Sequence, residues 1–111
     1  MMETVMRLRL LAGLAALFLL LPSTAKAGPS FSCRHSNLTL DEYAICNDSY
    51  LSELDVEMAY LWRKLNSRQK AILRNNQRRW IWYRQQCGAN YSFLETFYTT
   101  RIEQLHNVLG Y

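Results

Sequence analysis

From Ser30 to Cys87 the chain contains neither glycine nor proline, and after Gly88 neither returns until Gly110. These two residue types are the strongest local breakers of regular structure, so their absence over such a stretch points to long, uninterrupted elements with no linker between domains. The apolar residues in it recur three and four positions apart, the period of a helix that packs one face. An all-α fold is expected.

Thr39 and Glu42 have capping-box spacing and open a short helix reaching about Cys46, after which Asn47, Asp48 and Ser49 interrupt. Leu51, Leu54, Met58, Leu61 and Leu65 then form the packing stripe of a second helix, from Ser49 to about Asn66. Asn66 and Ser67 supply a break and a cap. Residues 68–87, without an acidic residue, read as a third helix ending at Gly88. Its stripe of Leu73, Gln77, Trp80, Arg84 and Cys87 mixes polar with apolar positions and should carry hydrogen bonds as well as apolar contacts. A fourth helix begins between Asn90 and Ser92, where Ser92 and Glu95 again have capping-box spacing, and carries Leu94, Tyr98, Arg101, Leu105 and Val108 on one side. The expected architecture is a small antiparallel three-helix bundle preceded by a short disulfide-stapled helix.

The first 27 residues lie apart from that fold. Arg7 and Arg9 precede an apolar run from Leu10 to Leu21, and Pro22, Ala25 and Ala27 follow, the pattern of a signal peptide cut near Ala27 and Gly28. The run falls well short of the roughly 20 residues needed to span a bilayer, and no cysteine stands at the cleavage point to accept a lipid. Residues 28–111 are therefore expected as one periplasmic or secreted domain with no membrane span. Glu3, Arg7, Arg9 and Lys26 leave with the leader, which lowers the net charge from +4 to +2. A general polyanion binder would carry more excess charge, so nucleic acid is not an expected partner.

Cys33, Cys46 and Cys87 would then enter an oxidising compartment. Cys33 and Cys46 close a short loop whose bridge contributes about 3 kcal/mol in the chain-entropy model, and we pair these two, leaving Cys87 as a free thiol. A metal site of Cys33, His35 and Cys46 offers only three ligands in no standard zinc spacing, so no metal or cofactor is expected. His35 and His106 lie in no catalytic motif, and Asp41 with Glu42, or Glu53 with Asp55 and Glu57, are better explained by helix dipoles and solvation than by general acid–base work. No catalytic residue is assigned.

A short turn between the second and third helices would make them antiparallel neighbours, with residue numbers summing to about 133 at each level. Asp55 would face Arg78 or Arg79, and Asp48 would approach Arg84. Asp48, Asp55, Gln77, Arg78, Arg84 and Arg101 are accordingly expected to form a structural polar network that sets helix register.

The run of Glu42, Ile45, Cys46, Asp48, Leu51, Leu54 and Asp55, then Tyr60 and Leu65, then Gln77, Arg78, Trp80, Arg84, Cys87 and Gly88 resembles the LprI-type lysozyme inhibitor domain. Leu94, Tyr98, Arg101, Ile102 and Leu105 continue the resemblance through the last helix. It implies a helical, disulfide-bonded envelope protein, some relatives of which protect peptidoglycan by inhibiting lysozyme. The family pattern has a second disulfide from the Cys87 position to a site about six residues on, where this chain has Phe93. Either Phe93 packs in place of that bridge, or the Cys87 thiol is open to a mixed disulfide or a dimer; a buried, inert thiol is the commoner outcome.

An inhibitor must fill the sugar cleft of a muramidase and satisfy its two carboxylates. Arg63, Arg68, Arg74 and Arg79, or the loop from Ser30 to Leu38, are candidate donors. A net charge of +2 brings no long-range attraction to a basic lysozyme, so affinity would rest on short-range fit. Immunity to a peptidoglycan-degrading toxin, or an envelope module for some other protein partner, would use the same physics. A different class of function is suggested by the third helix, where Arg68, Lys70, Arg74, Arg78, Arg79 and Arg84 interleave with Trp80, Trp82 and Tyr83, as in binders of anionic surfaces. Against it stands the expectation that Trp80 is core, Trp82 a helix-surface ring, and the arginines paired with the acidic second helix.

Overall fold

The structure, a computed structural model, describes residues 29–111 as four helices: α1 (Leu40–Asn47), α2 (Ser49–Lys64), α3 (Ser67–Gln86) and α4 (Tyr91–Leu109). The leader expected over residues 1–27, with its expected cleavage point, lies outside the described residues. No strand occurs among the described residues, and no helix among them is long and apolar enough to cross a membrane.

Local capping chemistry sets each helix start. Glu42 Oε1 accepts from the Thr39 backbone N–H at 3.0 Å and from its hydroxyl at 2.7 Å. Asp48 separates α1 from α2, and its Oδ1 accepts from Leu51 N–H at 2.9 Å. Asn66 and Gln69 exchange side-chain bonds with each other's backbone N–H at 2.8 and 2.9 Å, so two otherwise unpaired donors at the start of α3 are satisfied reciprocally. At α4 the cap is Asn90, whose Oδ1 accepts from Phe93 N–H at 3.1 Å; Ser92 already lies inside the helix and forms no box with Glu95. Gly110, at φ 82°, ends α4 in the left-handed conformation.

The core joins Ala44 and Ile45 of α1, Leu51, Leu54, Met58 and Leu61 of α2, Leu65, Trp80 of α3, and Leu94, Tyr98, Ile102 and Leu105 of α4. Phe31, Trp62, Leu73, Cys87, Phe97 and Leu109 pack against it as a partly buried rim. Trp80 stacks on Phe97 at 5.0 Å and meets Tyr98 edge-on at 5.1 Å, which ties α3 to α4.

Which helices are neighbours differs from the expectation. The extensive interface is between α2 and α4, not between α2 and α3. Tyr98 lies opposite Asp55, while Gln69, just beyond the end of α2, reaches the Val108 carbonyl near the end of α4, so α2 and α4 run in the same direction. Helix α3 returns antiparallel to α4, with Arg84 beside Tyr98 and Gln77 beside Arg101. Direct contact between α2 and α3 is thin, as at Gln77 Nε2 and Met58 Sδ, 3.6 Å apart. Burial of apolar area explains the choice. The α4 stripe offers Leu94, Ile102 and Leu105 to the leucines of α2, whereas α3 buries only Trp80 and Arg84.

Candidate functional site

Each helix contributes one buried polar side chain to a single cluster: Asp41 from α1, Asp55 from α2, Arg84 from α3 and Tyr98 from α4. Arg84 Nε donates to Asp41 Oδ2 at 2.7 Å and Nη1 to the Tyr98 hydroxyl at 3.3 Å, with Asp55 Oδ1 at 3.9 Å. Tyr98 in turn donates to Asp55 Oδ1 at 2.6 Å. Burial disfavours the charge on Arg84, but attraction to the Tyr98 oxygen and the hydrogen-bonded Asp41 carboxylate outweighs it and holds the guanidinium above its ordinary pKa. Burial also pushes the Tyr98 hydroxyl above the usual tyrosine range; Arg84 pulls it partly back and Asp55 adds to the rise. Tyr98 therefore stays a neutral donor between a cation and a carboxylate. Asp41 Oδ1 is buried with no hydrogen-bond partner among the described residues.

The cluster anchors the segment that precedes α1. Ser30 N–H donates to Asp55 Oδ2, and the Arg84 guanidinium lies over the Phe31 ring at 5.3 Å and over the Trp80 ring at 5.9 Å. Further along, Cys33 is bonded to Cys46 across a Cα–Cα distance of 5.7 Å, and Thr39 is held by Glu42. Between these ties, residues 32–37 stand in solvent. The loop is folded on itself: Arg34 N–H donates to Ser32 Oγ at 3.3 Å and Asn37 N–H to His35 Nδ1 at 3.2 Å. A concavity of about 750 Å³ opens beside the disulfide, between Pro29 and the outer face of α2 at Glu53, Val56, Tyr60 and Arg63. The disulfide consumes both sulfurs that a metal site with His35 would need, and no cluster of metal-ligating side chains occurs among the described residues.

A second polar group lies further along α3. Arg101 Nε and Nη2 donate to Gln77 Oε1 at 3.1 and 2.7 Å, and Nη1 donates to Asn76 Oδ1 at 2.6 Å and Gln104 Oε1 at 3.2 Å. Burial lowers the Arg101 pKa.

Two members of the expected network do not belong to either group. Asp48 is spent as the cap of α2 and does not approach Arg84, and Arg78 is exposed with no carboxylate partner among the described residues. Asp55 faces Tyr98, Arg84 and Ser30 in place of Arg78 or Arg79, because α4 packs along α2 and α3 reaches Asp55 through Arg84. Glu53 and Glu57 line the concavity and make no ion pair with the third helix. Arg63 stands at that rim, while Arg68, Arg74 and Arg79 are exposed on α3. Phe93 is 64 % exposed and takes no part in the core. Cys87 is half-buried, its thiol directed to the Tyr83 carbonyl at 3.5 Å, and burial, reinforced by Asp41, raises its pKa.

Asp41 and Tyr98 are the members that reading by charge register leaves out. Tyr98 stood in the α4 stripe between Leu94 and Arg101, where its ring reads as core and its hydroxyl goes unweighed. Asp41 sits in the first turn of α1, where an acid is ordinarily explained by the dipole alone. No protein family, characterised protein or solved structure matches this chain.

Proposed function

We propose that this protein is a lysozyme inhibitor-like module of the cell envelope, acting outside the cytoplasm by inserting its stapled loop into the saccharide cleft of a muramidase. One observation supports this reading above the rest: the loop of residues 32–37 is exposed at its tip and tied at its base through Ser30, Phe31, Cys33 and Thr39. A loop ordered before binding loses little entropy on docking, which is how a small surface gains affinity without long-range charge attraction. Arg34 is the cation at that tip, and a guanidinium matches a carboxylate with paired N–H donors. Arg63, which with Cys33 lines the concavity beside the disulfide, is a second candidate cation. Arg68, Arg74 and Arg79 lie on α3 and play no part in this reading.

The test is a titration of purified residues 28–111, bridge intact, against chicken-type and goose-type lysozymes acting on peptidoglycan. Saturable inhibition that weakens on the order of tenfold or more in Arg34→Ala is expected. No inhibition of either enzyme at large molar excess overturns the proposal, and inhibition unaffected by Arg34→Ala moves the contact surface off the loop.

A further inference from the structure

Helix α3 holds twenty residues but buries only Trp80 and Arg84. Its opposite side carries Arg68, Ile72, Asn75, Arg79, Trp82 and Gln86, which recur at intervals of four and three and are all exposed. Ile72 is 70 % exposed, and Trp82 and the adjoining Tyr83 are 55 % exposed, their rings in edge contact at 5.1 Å. Arg74 and Arg78 flank this row in solvent. The helix has no acidic residue, and none of these four arginines is paired with a carboxylate among the described residues. The acids of α2 that would have neutralised them are turned elsewhere: Asp55 is buried with Tyr98, and Glu53 and Glu57 face the concavity.

We propose that this outer face of α3 docks on an anionic lipid bilayer. Charge complementarity selects a negative partner, and the apolar members select lipid over nucleic acid. Isoleucine has no flat ring for a base to stack on, whereas a bilayer boundary accepts it together with the amphipathic rings of tryptophan and tyrosine at headgroup depth. A straight row along a helix about 30 Å long also suits a planar surface. Arginine forks bind headgroup phosphates while the Trp82 ring enters the boundary layer. This face is separate from the stapled loop, so the inference is independent of the muramidase reading.

The experiment is flotation of purified residues 28–111 with vesicles of phosphatidylcholine alone and of phosphatidylcholine mixed with phosphatidylglycerol. Removal of the leader segment matters, since its apolar run would itself partition into lipid. Binding to the mixed vesicles, weakened by salt and absent on phosphatidylcholine alone, is the expected result. The R68Q/R79Q pair should lower the partition coefficient on the order of tenfold or more with helicity unchanged by circular dichroism. Tryptophan emission should shift to the blue on binding, and the shift should vanish in Trp82→Phe. Failure to float with anionic vesicles at low salt overturns the proposal without any variant. So does binding that survives both R68Q/R79Q and Trp82→Phe, and so does preferential capture of a single-stranded oligonucleotide over the mixed vesicles.

Discussion

Arg84 is a cation removed from water and enclosed by Asp41, Asp55, Tyr98 and the rings of Phe31 and Trp80. Replacing Arg84 with methionine leaves the buried carboxylates of Asp41 and Asp55 without a cation, and the expected loss is about 3–5 kcal/mol, measurable as a fall in the urea midpoint. That is a large fraction of the roughly 5–15 kcal/mol that holds a domain folded. Tyr98 makes the same cluster sensitive to alkali. Its folded pKa lies above the unfolded value of about 10, so the native state holds the proton more tightly and the stability it confers is complete below that pH. That stability is lost as pH rises through and beyond the ordinary tyrosine range. Urea titrations in a Cys87→Ser background, which removes thiol–disulfide exchange, should show this alkaline decline in the parent and a flatter profile in Tyr98→Phe. At neutral pH the Tyr98→Phe protein should be less stable by about 1–3 kcal/mol, because Asp55 loses a buried donor. The Cys87 thiol, with its pKa raised by burial and by Asp41, should be alkylated more slowly than a free cysteine at neutral pH, its rate rising at a higher pH.

Among the elements, the helix starts follow local chemistry closely enough to be read from residue order. Thr39 with Glu42 and Asn66 with Gln69 make their bonds within three residues, so no tertiary partner is needed to place them. Asn90 and Ser92 show the limit: both can cap, and the turn following Gly88 decides for Asn90. Asn66→Ala should cost about 1 kcal/mol, checked by thermal unfolding. The bridge between Cys33 and Cys46 belongs to this scale too. Its removal in a Cys33→Ser/Cys46→Ser protein should cost about 3 kcal/mol and, by freeing the exposed loop, reduce any muramidase inhibition by more than the loss of folded protein accounts for.

Across the whole molecule, stability is unevenly shared. Helices α2 and α4 bury their leucines and Tyr98 against each other, whereas α3 joins through Trp80, Arg84 and the Gln77–Arg101 contact and leaves most of its surface in water. Native-state hydrogen exchange should therefore find amides near Arg74 and Asn75 exchanging through openings of lower free energy than those near Leu54 and Tyr98. Equal protection along all three helices would refute this ordering.

Residue order by itself determined the helical class, the capped starts of α1 and α3 and the pairing of Cys33 with Cys46, because glycine and proline spacing, caps and short loops act over a few residues. It also placed Leu51, Leu54, Leu61 and Trp80 on inward faces, since the helical period alone sorts them. Only the tertiary structure decided that α4, not α3, lies against α2. Short turns favour adjacency in sequence, but the greater apolar area of the α4 stripe prevailed. From that one choice followed the partners of the charges: Asp55 went to Tyr98, Arg84 to Asp41, and the arginines of α3 were left facing solvent.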